Sequence, residues 1–256
     1  MRMSIALQAA ENVSIFKQSV DFVRVKCYNA DMKTFIFDLY NTLIDIRTDE
    51  HCERAWAPVV QMLAERGTKT DWVKLCAEYD RYWKLFGERA VAERKFLYPE
   101  CDCVTQFESI ARSVGGKFTR EEATEALRRM RKASIVWLRL FDGTLELLDG
   151  LHERGAKIYL LSNAQSAFTL SEILEAGLYN KLDGALLSSD CGCRKPDPAF
   201  FEMLFDEYDL DKADAVMVGD DMDNDVRGAQ RFGIRAVWAN GGAASHASEL
   251  YAIADE

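Results

Sequence analysis

The sequence predicts an α/β protein whose mostly parallel sheet is covered on both faces, with an all-helical segment inserted after the first strand. Two observations lead there. Five short apolar runs of strand length recur along the 256 residues, and the last four are separated by segments long enough for a helix. Between the first and second runs, roughly residues 47–140, helical patterns repeat without a convincing strand.

The first run, residues 34–37, is Thr-Phe-Ile-Phe; it ends at Asp38 and meets a polar turn at Asn41 and Thr42, as a buried strand does. The other runs lie at 157–161, 185–187, 215–218 and 235–238. In the long segment, Thr119 and Glu122 have the spacing of a capping box, which predicts a helix from there to about Arg139. Gly67, Gly87, Pro99 and the Gly115-Gly116 pair mark breaks between the other helices. Thr144 is the expected N-cap of a helix that stops before Gly155. Asp197 precedes a proline at a first helical position, which opens a helix to about Tyr208. The expected organisation is an N-terminal extension at 1–31, an α/β core built from 32–46 and 141–256, and a helical subdomain at 47–140. The extension shows no regular period and no uninterrupted apolar stretch of a secretory signal.

Composition narrows the function. With 32 basic and 42 acidic side chains the formal net charge is −10, so a general footprint for nucleic acid phosphates is missing. No run approaches the roughly 18 apolar residues that span a bilayer. The odd number of cysteines, 7, scattered over a long chain, reads as reduced thiols of a cytoplasmic protein. Cys101/Cys103 and Cys191/Cys193 are too closely spaced for the usual structural zinc site.

Polar residues follow four of the five predicted strands: Asp38 to Thr42 after the first, Ser162-Asn163 after the second, Arg194 to Asp197 beyond the third, and Gly219-Asp220-Asp221 after the fourth. In an open α/β sheet ligands bind beyond the carboxyl ends of the strands, so these residues are expected to converge. Asp220, Asp221, Asp223 and Asp225 place carboxylates close together, and any two of them facing inward with Asp38 would repel unless a cation neutralised them. Mg²⁺ suits such oxygen donors and keeps several of its waters.

These segments, Phe37-Asp38-Leu39-Tyr40-Asn41-Thr42-Leu43, Leu161-Ser162-Asn163, Arg194-Lys195-Pro196-Asp197-Pro198 and Gly219-Asp220-Asp221 with Asn224-Asp225, resemble, in order, the four motifs of the haloacid dehalogenase-like hydrolase superfamily. The resemblance implies a Rossmann-like core with the site at the strand ends and a helical cap inserted after the first motif, and says much less about substrate, for which a small phosphorylated metabolite is the leading expectation. It makes Asp38 the nucleophile, with Thr42, Ser162 and backbone N–H groups near Asn163 on the oxygens of the transferring group and Lys195 offsetting their charge. It also implies Mg²⁺ held by Asp38, the backbone carbonyl of Tyr40 and Asp220, with Asp221 and Asp225 orienting waters behind them.

One residue departs from the phosphatase pattern. Two positions after Asp38, where those enzymes carry a second aspartate as general acid and base, this chain has Tyr40. A phenol is a poor base at neutral pH. Tyrosine at this place is familiar from the family's 2-haloacid dehalogenases, whose halide leaves without a proton and which need no metal. The fourth motif outweighs Tyr40, because its four acids would be electrostatically costly without a cation, so the leading expectation is a Mg²⁺-dependent phosphatase. A metal-independent dehalogenase, and a member that binds a phosphoryl ligand or a protein without turnover, stay open.

Overall fold

The computed structural model describes residues 33–93 and 95–256; the expected extension at 1–31 lies outside the described residues. Five parallel strands form the central sheet in the order β5-β4-β1-β6-β7, with β1 Thr34–Phe37, β4 Lys157–Ser162, β5 Gly184–Leu187, β6 Ala215–Gly219 and β7 Arg235–Trp238. The chain runs from β1 outward through β4 to β5, then returns to β6 on the other side of β1. The direction of winding thus reverses between β1 and β6, where such sheets open a crevice.

Side-chain alternation places the core. Phe35, Phe37, Ile158, Leu160, Val216 and Val218 face one layer of buried residues, while Ile36, Tyr159, Leu161 and Met217 face the other. Both faces are apolar because helices cover both. On the first side lie α5 Thr144–Glu153 and α9 Ala247–Ala254; on the second lie α7 Pro198–Tyr208 and α8 Arg227–Phe232. A further helix, α6 Ser166–Glu175, follows β4.

The inserted segment contributes α1 Glu53–Ala64, α2 Trp72–Glu93, α3 Cys103–Ser113 and α4 Arg120–Ser134. These helices pack around their own cluster, centred on Trp56, Phe107, Leu63 and Leu127, and Phe168 of α6 packs against it from the sheet side. The capping box is present as expected: Thr119 Oγ1 accepts from Glu122 N at 3.2 Å, and Glu122 Oε2 accepts from Thr119 N at 2.9 Å.

Two expectations are corrected. The helix opened by Thr119 stops at Ser134, and Ile135–Leu140 is a strand, β3, antiparallel to β2 Ile44–Thr48. Ile135, Val136 and Trp137 are β-branched or aromatic, and the ladder to β2 satisfies their backbone groups, so strand pairing overrides the helical pattern. The segment therefore contains a strand after all, and it joins the sheet layer through a two-stranded ribbon. In the other correction, Gly143 rather than Thr144 occupies the N-cap of α5, with φ 82°, a left-handed turn that glycine adopts without penalty. The Thr144 hydroxyl instead donates to Leu43 O at 3.3 Å.

Asp197 serves two segments at once. Its Oδ1 accepts from Ala199 N and caps α7, with Pro198 at the first helical position, while Oδ2 accepts from Tyr98 N, both at 3.0 Å. Asp197→Ala is expected to cost about 1–2 kcal/mol, the range for a lost cap, and to lower Tm by about 2–4 °C per kcal/mol in thermal unfolding.

Candidate active site

The strand ends gather the expected side chains at one place. The sheet ladder continues one residue past β1, because Asp38 N donates to Val218 O at 2.9 Å, and this fixes where the Asp38 side chain begins. Across the β1–β6 crevice, Thr42 meets Asp220: Asp220 N donates to Thr42 Oγ1 at 3.0 Å, and that hydroxyl donates to Asp220 Oδ1 at 3.3 Å. Trp238 Nε1 donates to Asp220 O at 2.8 Å and holds the loop from the far side.

Lys195 reaches in from the segment beyond β5. Its side chain is 1% exposed and its Nζ lies 2.8 Å from Asp38 Oδ1 and 2.7 Å from Asp225 Oδ1. Asn163 secures the backbone of that lysine, donating through Nδ2 to Lys195 O at 3.0 Å and accepting from Lys195 N at 2.8 Å. The Asn163 side chain is thus a positioning clamp. Ser162, at the end of β4, is buried beside it.

Carboxylates outnumber the ammonium. Oxygens of Asp38, Asp220 and Asp225 all lie within 4.8 Å of one another, which brings Asp225 into the same cluster as the other two. Asp225 Oδ1 is close to Lys195 but has no hydrogen bond of good geometry. Burial, then the nearby Asp38 charge, raise Asp220 above the ordinary carboxylate range. Burial also pushes Asp225 up to about 7, with Lys195 opposing and Asp38 adding to the rise. For Lys195 burial acts to lower the pKa, but Asp225 and Asp38 outweigh it and keep the ammonium charged. An all-oxygen donor set with uncompensated negative charge fits a hard divalent cation such as Mg²⁺.

Asp221 behaves differently. Its Oδ1 accepts from Asp223 N at 2.8 Å and Asn224 N at 2.9 Å, capping the turn Met222–Val226. Burial works against its ionisation, yet these N–H groups hold it below the usual carboxylate value. Asp223 faces solvent and pairs with Arg227. Asp225 fits only because residue 219 is glycine: a Cβ there would overlap the Asp225 carboxylate.

Tyr40 is tied down on the side of the inserted helices. Its hydroxyl donates to Glu172 and meets Thr169 Oγ1 at 3.1 Å, both on α6. Arg131 of α4 pairs with Glu172, Nε to Oε1 at 2.8 Å, and its guanidinium lies over the Tyr40 ring, 5.2 Å from the centroid. Burial, then the Glu172 charge, drive the phenol far above the ordinary tyrosine range, so it is neutral. Arg131, Thr169 and Glu172 carried no motif in the sequence; they converge only because α4 and α6 pack together. Beside Tyr40 a cavity of about 310 Å³ opens between the inserted helices and the sheet layer, lined by Tyr40, Glu50, Glu100, Arg131, Phe168 and Arg194 among others. The six described cysteines are free thiols, and neither closely spaced pair belongs to a metal-binding group among the described residues.

A parallel sheet that collects carboxylates, a buried lysine and a hydroxyl beyond its strand ends defines a class of α/β hydrolases. The haloacid dehalogenase-like hydrolase family matches residues 32–233, and the chain belongs to that family. It is 33% identical over 128 residues to a phosphoserine phosphatase of Thermus thermophilus, a match that spans 48% of this chain and about half, 51%, of that one. It is 22% identical over 207 residues to a glyceraldehyde 3-phosphate phosphatase of Pyrococcus abyssi, covering 81% of each. The fold is similar to that of a 2-haloacid dehalogenase from Pseudomonas syringae, at TM-score 0.53 and 22% identity over 81% of this chain and 86% of that one.

Two substitutions probe this geometry. Gly219→Ala is expected to displace Asp225 from Lys195 and to lower stability by about 1–3 kcal/mol, the cost of overpacking, readable by denaturant unfolding. Tyr40→Phe removes the bond to Glu172. Its stability loss should be about 1.5–3 kcal/mol, as for a hydrogen bond to a charged group.

Proposed function

We propose that this hydrolase is a Mg²⁺-dependent phosphatase of a small phosphorylated metabolite, acting through an aspartyl-phosphate at Asp38. One observation carries the reading: Asp38, at the end of the central strand, is held by a buried lysine beside two further carboxylates that call for a cation. The phosphatases among its relatives support the same choice.

In the first step an Asp38 oxygen attacks phosphorus and the bond to the leaving oxygen breaks; in the second, water hydrolyses the acyl phosphate and frees Asp38. Lys195, gripping Asp38 Oδ1, orients the nucleophile and offsets the anionic charge that accumulates on the phosphoryl oxygens. Ser162 and the backbone N–H groups near Asn163 would bind those oxygens. Thr42, whose hydroxyl is engaged with Asp220, contributes by orienting that carboxylate. Asp38, Asp220 and the Tyr40 carbonyl would hold a Mg²⁺ with Asp225 beside it, and the ion would supply neutralising charge there.

Residues 47–140 are the cap in this reading, closing over the strand ends. Tyr40 and Asn163 from the sheet side and Glu50 and Arg131 from the ribbon and helices line one cavity, which would hold the body of the substrate and exclude water. We place the protein in the cytoplasm, in keeping with its free thiols; among the described residues no helix is long and apolar enough to cross a membrane.

A neutral Tyr40 already donating to Glu172 gives the leaving oxygen no acid from that position. Substrates whose leaving group tolerates negative charge are therefore preferred, because acid assistance is worth about 10² to 10⁴ in rate. The same residue favours a second reading, displacement of halide from a 2-haloacid, which needs no proton.

Hydrolysis of an activated aryl phosphate with Mg²⁺, with chelator and with Asp38→Asn separates these readings. Phosphate release that requires the metal and disappears in Asp38→Asn is expected, with Tyr40→Phe within about tenfold of the parent. Halide release that survives chelator, or an Asp38→Asn protein that keeps most of its phosphatase activity, overturns the proposal.

A further inference from the structure

We propose that His51, Cys76 and Asp80, with water completing the coordination, form a site for a transition-metal dication of the zinc type, separate from the acidic cluster at the strand ends. The residues come from two segments. His51 and Cys52 sit in the turn between β2 and α1, and Cys76 and Asp80 are four apart on α2, so both project from one helix face toward that turn.

The ligand atoms of His51, Cys76 and Asp80 all lie within 4.8 Å of one another, and His51 Nε2 is 3.0 Å from Asp80 Oδ1. Both thiols close on the same turn: Cys52 Sγ donates to Asp49 O at 3.3 Å, and Cys76 Sγ approaches Glu50 O at 4.0 Å. Tetrahedral zinc, with bonds of about 2.0–2.3 Å, sets its ligands about 3.3–3.8 Å apart. The closure needed is about 1 Å, and the side chains that must move, His51 and Asp80, are free to do so at 61% and 56% exposure. Their exposure also provides the path by which an ion enters.

An exposed His–Asp pair by itself contributes little to stability. What is unusual is its partner, a buried thiol whose sulfur lies within 4.8 Å of both the imidazole and the carboxylate. A dication would bind this sulfur as a thiolate, its proton passing to solvent. Imidazole, thiolate and carboxylate together select zinc-like ions over Mg²⁺, which takes oxygen donors. The ion would clip the 49–52 turn to α2. Glu50 of that turn and Tyr79 of α2 line the cavity, so the clip would brace one of its walls.

Co²⁺ alone, titrated into the full-length, reduced, metal-free protein, reports thiolate ligation through near-ultraviolet charge-transfer absorption, which a carboxylate site does not give. A band saturating at about one equivalent, displaced by Zn²⁺, is expected from the proposed ligand count. It should persist in Asp220→Asn and vanish in Cys76→Ser. His51→Ala, an exposed change that leaves the fold alone, should weaken Co²⁺ binding by more than about tenfold, since even outer partners of metal ligands are worth that much. The proposal is overturned by the absence of a band, by a band of undiminished strength in Cys76→Ser or His51→Ala, by its loss in Asp220→Asn, or by a Cys52–Cys76 disulfide in the mass spectrum of non-reduced protein.

Discussion

The buried ammonium of Lys195 is the interaction on which the rest of the site depends. An ammonium that is 1% exposed would be lost to desolvation without close anions, and Asp38 and Asp225 meet that need at 2.8 and 2.7 Å. Each requirement then reaches further into the fold. Asn163 holds the lysine backbone, Gly219 leaves room for Asp225, and Asp197 fixes the loop that carries the lysine onto α7. A local charge balance is thus distributed over β1, β4, β6 and α7, which explains why the four motifs come from such distant parts of the chain.

A second polar node joins the sheet layer to the inserted helices. Arg131 on α4, Glu172 on α6 and Tyr40 after β1 form a mostly buried triad, with the arginine shared between a carboxylate and an aromatic face. Removing Arg131 or Glu172 leaves a buried charge unpaired, and removing Tyr40 takes a hydrogen bond from Glu172, so the three are energetically coupled. The contact also decides the chemistry available near Asp38. A tyrosine committed to Glu172 anchors the two layers; it does not act as a proton donor to a departing group.

Much of this was legible in the chain. The five sheet strands follow from short apolar runs, the start of α4 from Thr119 and Glu122, and the start of α7 from Asp197-Pro198, because each signal is local. The β2–β3 ribbon was missed although Ile44-Asp45-Ile46-Arg47 alternates, since a pattern so short is decided by a partner more than 90 residues away, Ile44 pairing with Leu140. At the site, spacing pointed to the strand-end residues but could not divide the labour among them. Asp221 turned out to be a helix cap and Asp225 the partner of Lys195, a distinction that depends on which carboxylate the turn Met222–Val226 points inward. Arg131 and Glu172 had no sequence signal, as their meeting is a product of helix packing.

The two nodes explain how the motif residues and Tyr40 can coexist in one site. Stabilising a phosphoryl transition state asks for positive charge near Asp38, and in the proposed reaction Lys195 with a divalent cation would answer that without any help from residue 40. Proton delivery to the leaving oxygen is a separate requirement, and it scales with the basicity of that oxygen. A site that keeps the first and gives up the second loses most rate on substrates with basic leaving groups. In exchange Tyr40, Arg131 and Glu172 tie the helical layer to the sheet layer beside the cavity. In the proposed reaction, selectivity would rest on two filters acting in series: the cavity between the layers would choose the body of the substrate, and the missing acid would choose among the bonds that can be broken.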